Sequence, residues 1–193
     1  MKNLIVKNGN LWWMIILFIT IFSTVILADA VKNTAVVIDL KGRAEASFAA
    51  GVWVPVKIGM KIQEGDLLRT RENASIRLKL DDGTFTTISE NSELRLEKLN
   101  SQIVTEKKAF KEVETQQKQI DLKLLKGAAF SKVKKLNEKS SFKVITPSSV
   151  CGVRGTSFEV EQTAEESKVS VLEGQVDVVN PEFPDRVAKV KQG

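Results

Sequence analysis

Phe142-Lys-Val-Ile-Thr-Pro147, Val150-Cys-Gly-Val-Arg-Gly-Thr-Ser-Phe-Glu-Val160 and Val169-Ser-Val-Leu-Glu-Gly-Gln-Val-Asp-Val178 follow one another near the end of this 193-residue chain. In each, apolar and polar residues alternate at period two, the pattern of a half-buried strand. Pro147 has no N–H to give to a ladder, so it closes the first strand. Gly152 and Gly155 permit a bulge or a close backbone approach around Arg154. Alternation resumes at Phe158 and Val160. An arginine between two glycines in an otherwise apolar strand must, if buried, be met by carboxylates or carbonyls. Arg154 therefore either grips a partner's carboxylate or pins two strands through backbone carbonyls and an acid such as Glu173 or Glu159.

The same period extends upstream, in Val36-Val37-Ile38, Ser75-Ile76-Arg77-Leu78-Lys79-Leu80 and Leu94-Arg95-Leu96. Asp81-Asp82-Gly83 between two such runs is a hairpin turn, since Asp-Gly tolerates the positive φ of a tight loop. Leu40-Lys41-Gly42-Arg43-Ala44, Leu125-Lys126-Gly127-Ala128-Ala129 and Leu172-Glu173-Gly174-Gln175-Val176 share a pattern of leucine, charge, glycine, any residue and small apolar residue. Their spacings are unequal, so they mark strand corners rather than the fixed repeat of a solenoid. The expected fold is all-β, a single compact sandwich or rolled sheet, with a short β-solenoid as the alternative.

One stretch breaks the pattern. Residues 98–139 hold eleven lysines against five acids, a net +6, whereas the whole chain is +5. Phe110, Val113 and Ile120 lie at three-to-seven spacing, which fits a helical insertion; a long hairpin is the other reading. Lys107, Lys108 and Lys111 are its candidate partner-binding residues. An anionic envelope partner, or simply a solvated face, accounts for the patch better than nucleic acid does, because no aromatics interleave the lysines.

Composition removes whole classes of chemistry. There is no histidine, so Ser-His-Asp and Cys-His catalysis and every His-containing metal site are excluded. The lone Cys151 forms no intramolecular disulfide and reads as a small buried apolar residue. The clustered acids Glu64, Asp66, Asp81 and Asp82 are the candidates for a polysaccharide hydrolase, but turn formation suffices for the latter two. Trp53, beside Pro55, is either an exposed partner anchor or a strand-edge core aromatic. No enzyme activity, cofactor or metal is expected.

At the start of the chain, Lys2 and Lys7 precede a greasy run, Leu11 to Ala28, that ends in Ala28-Asp29-Ala30. As a hydrophobic helix, eighteen residues at about 1.5 Å each nearly match the hydrocarbon core of a bilayer. The small-x-small ending also suits cleavage before Val31. Residues 1–30 are thus expected to be a signal peptide or membrane anchor that places Val31 onward outside the cytoplasm.

The Val153-Arg-Gly-Thr-Ser-Phe-Glu-Val160 stretch, with Thr146-Pro147 before it and Val169 to Val178 after it, resembles the FecR-type domain of bacterial envelope proteins. Trp53-Val-Pro55 with Gly59, Gly65-Asp66-Leu-Leu-Arg69-Thr70, and Leu80-Asp-Asp-Gly83-Thr84 with Ser92-Glu93-Leu94 look like the family's earlier strands in order. The resemblance covers roughly Val36 to Val179 and implies an extracytoplasmic, non-catalytic β domain, taken as residues 31–180 with the basic insertion included; the last residues, Ala188-Lys-Val-Lys-Gln-Gly193, read as a strand entering another glycine corner, so 181–193 are expected to be a C-terminal strand or tail. Its motif residues here are Thr146, Pro147, Gly152, Val153, Arg154, Gly155, Thr156, Phe158 and Gly174, with a structural role expected for them. The family's iron-uptake regulators relay a signal from an outer-membrane receptor to a cytoplasmic sigma factor through one membrane span. Only Met1 to Asn10 precede the greasy run, too few for a sigma-binding segment. The main expectation is therefore an exported periplasmic or inner-membrane-anchored module that binds an envelope protein or glycan. A FecR-type transmembrane signalling regulator is the alternative.

Overall fold

The computed structural model describes residues 33–48, 51–108 and 111–193 and, for side chains, 33–48, 51–103 and 114–193. The hydrophobic helix expected at the N-terminus lies outside them. Among the described residues there are fifteen strands and no helix, so the all-β expectation holds. In chain order they are β1 (Ala35–Lys41), β2 (Ala44–Ser47), β3 (Trp53–Pro55), β4 (Lys61–Ile62), β5 (Leu67–Thr70), β6 (Ser75–Leu80), β7 (Phe85–Ile88), β8 (Glu93–Lys108), β9 (Lys111–Lys132), β10 (Ser141–Ile145), β11 (Val150–Val153), β12 (Ser157–Gln162), β13 (Ser167–Glu173), β14 (Gln175–Asn180) and β15 (Phe183–Lys191).

All fifteen belong to one open hydrogen-bonded sheet, and β9 is the strand that joins its two wings. The first wing runs β4-β1-β6-β7-β9-β12-β13, and the second β3-β2-β5-β8-β9-β10-β11-β14-β15. The leading part of β9 pairs with β8 and, in parallel, with β10. Its last residues pair instead with β7 and β12. The switch falls at Gly127, whose φ of +82 suits glycine. A Cβ there would lie 2.5 Å from the Ser92 Cα. The Ser92 hydroxyl oxygen accepts the Ala128 N–H at 2.9 Å and so stitches the corner shut.

Burial follows the expected alternation. Ile76, Leu78 and Leu80 of β6 point inward while Arg77 and Lys79 point out. Leu94 and Leu96 of β8 and Ile120, Leu122 and Leu124 of β9 do the same on the second wing, and the inward residues of both wings form one apolar cluster. Phe142 of the second wing meets Phe158 of the first edge-on, with ring centroids 6.3 Å apart, a favoured aromatic geometry. The sheet is rolled so that its wings share a core. Every pairing is antiparallel except β9 with β10, unlike the parallel stacking of a β-solenoid.

The lysine-rich insertion is not helical where it is described. It is the long β8–β9 hairpin, whose rungs run from Lys98↔Asp121 through Gln102↔Gln117 to Lys108↔Lys111. A register shift between Leu96 and Lys98 lets Leu99 return to the inner face. Buried Leu96, Leu99, Ile120 and Leu122 therefore root the hairpin in the core. Cross-strand pairing at this root, not the spacing of Phe110 and Val113, decides the local structure.

Candidate functional site

The motif residues meet at one corner of the roll. Thr146 to Ser149 close the β10–β11 hairpin: the Thr146 N–H donates to the Ser149 carbonyl at 2.8 Å, and the Ser149 N–H donates to the Thr146 hydroxyl at 2.8 Å. The buried Thr146 hydroxyl also bonds the hydroxyl of Ser167, at 2.6 Å. Pro147 sits exposed in this turn, where its lack of an N–H costs nothing. Val153 is buried and Phe158 fully so.

At the following bend the two glycines of the motif separate. Gly155 has φ +95, and a Cβ on it would approach the Lys135 Cα to 2.8 Å. Gly152 has an ordinary strand backbone, and its Cβ would come no nearer than 3.9 Å to the Asp177 carbonyl oxygen. The close approach anticipated for both thus belongs to Gly155 alone. Thr156 is buried, donates from its hydroxyl to the Gln175 carbonyl at 2.9 Å, and accepts the Val133 N–H at 2.9 Å. Gly174, at φ +89, packs against it, a Cβ there falling 3.1 Å from the Thr156 Oγ1.

Arg154 is exposed rather than buried. Its guanidinium donates to the Glu138 carbonyl at 3.1 Å, in the turn before β10. Glu173 instead accepts a long bond from the Ser157 hydroxyl, at 3.4 Å. An open groove of about 540 Å³ runs along this corner and includes Lys143, Gly152, Arg154, Gly155, Thr156, Gly174 and Asp177 in its wall. A second groove of about 410 Å³ shares Gly155 and Thr156 with it and is lined by Arg77, Lys132, Lys134 and Lys135 against the single acid Glu173.

The acids considered for hydrolysis serve the backbone. Glu64 accepts the Leu99 N–H at 2.9 Å, Asp66 that of Gln63 at 2.7 Å, Asp81 that of Thr34 at 3.0 Å, and Asp82 that of Thr84 at 2.8 Å. Among the described residues no group of three or more acids or cysteines could hold a metal ion. Cys151 is fully buried, and burial pushes its thiol above the ordinary range although Ser149 lies beside it.

Lys107, Lys108 and Lys111 stand at the far end of the β8–β9 hairpin, on rungs Lys107↔Glu112 and Lys108↔Lys111. Trp53 is half-buried on β3, which pairs only with β2 among the described residues. The Arg69 guanidinium stacks over its ring, 3.7 Å from the centroid. Arg69 also donates to Glu45 at 2.6 Å, and Glu45 is reached by Arg71 at 2.9 Å and Arg43 at 3.1 Å. Led by the Arg69 hydrogen bond, with those from Arg71 and Arg43 adding to it, these partners outweigh desolvation and hold the Glu45 carboxyl at about 2, against an ordinary 4.5. Sequence reading missed this cluster. The signal available was the i, i+2 spacing of Arg43 with Glu45 and of Arg69 with Arg71, which puts each pair on one face of the sheet.

A family model described as FecR protein matches residues 66–177, from the start of β5 into β14. No curated protein matches. Among solved structures, two crystal structures of a candidate anti-sigma factor from Parabacteroides distasonis are similar, with TM-scores of 0.49 and 0.47. Each is 22% identical over 65% of this chain and 51% of that one. The chain therefore spans about half the length of these proteins.

Proposed function

Because the chain belongs to the FecR family, matched over more than half its length, we propose that it acts as a signalling regulator of the bacterial envelope through binding to regulatory proteins, not through catalysis. The observation that carries this reading is the extent of the match: it takes in β5 through β13 and the whole corner motif from Thr146 to Gly174. Regulation thereby takes precedence over a module for envelope proteins or glycans. The use of the motif as a corner, with the Thr146 and Thr156 hydroxyls and Gly155 and Gly174 committed to packing, supports a domain that presents surfaces and performs no chemistry. Its partner class is a regulatory protein: a receptor on the β domain's own side of the membrane or, reached through a further protein of the relay, a sigma factor. Lys2 and Lys7 ahead of the greasy run 11–28 and its Ala28-Asp29-Ala30 ending support a β domain outside the cytoplasm, tethered by 11–28 or released after Ala30, and N-terminal sequencing of membrane and soluble fractions separates the two.

The decisive experiment is in-frame deletion with plasmid complementation, read by transcript profiling under iron-replete and iron-poor growth, beside affinity capture with the tagged full chain. A defined regulon that shifts on deletion and returns on complementation is expected, together with recovery of a sigma factor or receptor. An unchanged transcriptome with no regulatory protein recovered would remove the proposal.

A further inference from the structure

Arg43, Arg69 and Arg71 bring three positive charges onto one carboxylate, that of Glu45, and leave the cluster at net +2. Each guanidinium carries five N–H donors in a fixed fork. The bonds to Glu45 engage one nitrogen of each: Arg43 on Oε1, Arg69 and Arg71 on Oε2. The Glu45 side chain is only 11% exposed, whereas those of Arg43 and Arg71 are 76% and 50% exposed. The acid thus sits beneath and the donors of two arginines face solvent. Across the β5–β8 register from Arg69 lies Glu93, whose carboxylate is already 3.9 Å from Lys126.

We infer that Arg43, Arg69 and Arg71, held by Glu45 and flanked by Trp53, form a receptor for a carboxylate on an acidic segment of a partner protein. The arrangement is preorganised. Arg69 is fixed between the Trp53 face and Glu45, and the side chains of Arg43 and Arg71 are each drawn onto Glu45, which lowers the cost of ordering them on binding. Three converging guanidiniums repel one another, and a second anion relieves that repulsion while forming paired charge-assisted bonds.

Surroundings favour a protein segment over a free anion. Val52, 65% exposed, and Phe48 stand at the turn end of the β2–β3 hairpin next to Trp53, where the Gly51 N–H turns back to the Phe48 carbonyl. Tryptophan and arginine beside exposed apolar side chains are what protein interfaces concentrate, and β3 offers an edge along which an extended segment can lie. An inorganic anion would use none of that surface. Arg43, Glu45, Trp53 and the hairpin end precede the segment matched by the family model. The inference goes beyond the regulatory reading and stands or falls separately from it.

The test uses the full chain with Trp12→Phe and Trp13→Phe, so that Trp53 is the one tryptophan left. The probe is an acetylated, amidated (Glu-Leu)3 peptide, titrated at low salt and followed by Trp53 emission. Saturable binding is expected, weakened about tenfold or more by Arg43→Gln/Arg71→Gln and weakened also by Arg43→Lys/Arg71→Lys, because lysine lacks the planar fork. Lys168→Gln/Lys189→Gln removes two exposed charges elsewhere and is expected to leave the affinity unchanged, with circular dichroism verifying the fold of every variant. No saturable binding, equal weakening by both glutamine pairs, or binding of inorganic pyrophosphate as tight as that of the peptide would each overturn the inference.

Discussion

Glu45 gives the sharpest residue-level prediction. Its carboxyl, ordinarily near 4.5, is held at about 2 by Arg69 first and then Arg71 and Arg43. A group whose folded-state value is depressed contributes stability that is full above its unfolded value and fades as pH falls through the folded one. The arginine cluster should therefore stabilise the fold fully above pH 4.5 and progressively less down to about pH 2. Urea midpoints of wild type and Glu45→Gln should differ most at pH 6, and the gap should shrink to well under half by pH 2.5; a gap of constant size would refute the assignment. The motif glycines make a second prediction. Gly155→Ala forces an L residue to φ +95 with its Cβ 2.8 Å from Lys135 Cα, and should cost roughly 1–3 kcal/mol. Gly152→Ala meets nothing closer than 3.9 Å and should stay within about 1 kcal/mol of wild type. Chemical denaturation of the two variants decides it. The sequence could not tell these glycines apart, because which one bends the chain depends on Lys135, a residue outside the motif.

At the scale of elements, legibility tracked how far each signal reached along the chain. Phe142 to Val178 announced its strands because each one carries its own alternation, and Asp81-Asp82-Gly83 announced its turn for the same local reason. The arginine cluster stayed hidden because Arg69 and Arg71 lie 24 and 26 residues from Glu45 and meet it only through β2–β5 pairing. For the β8–β9 segment the sequence admits both a helix and the long hairpin that forms, because the bulge after Leu96 interrupts period two and leaves a chance helical spacing further on. Its root, not its length, should set its stability: Leu96, Leu99, Ile120 and Leu122 are buried, while Gln102, Ile103 and Glu114 are exposed. Replacing residues 104–115 with Asn-Gly keeps the Ile103↔Gln116 rung and the 2.7 Å bond from Asn137 Nδ2 to the Gln116 carbonyl. Such a variant should lose less than about 1 kcal/mol by thermal or urea denaturation. A large loss would mean that the far end of the hairpin packs against the domain.

For the whole molecule, the decisive feature is that both wings draw on one core. A sheet whose halves had separate cores could unfold in two steps. Here Ile76 and Leu78 of the first wing, Leu94 and Leu96 of the second, and Leu122 of the shared strand belong to a single cluster, and Gly127 carries β9 from one wing to the other. Damage to one wing should therefore be felt in full by the other. Phe158 lies on β12 in the first wing and touches Phe142 on β10 in the second; Trp53, on β3, reports on the second wing alone. Truncating Phe158 to alanine removes a fully buried ring and should cost about 3–5 kcal/mol. In a background lacking Trp12 and Trp13, the Trp53 emission transition should move by the same amount as the transition followed by far-ultraviolet circular dichroism, the two curves remaining superimposed as a two-state domain requires. Curves that separate, with Trp53 holding its wild-type midpoint, would show that the second wing keeps a core of its own and that Phe142 and Phe158 meet without coupling the halves.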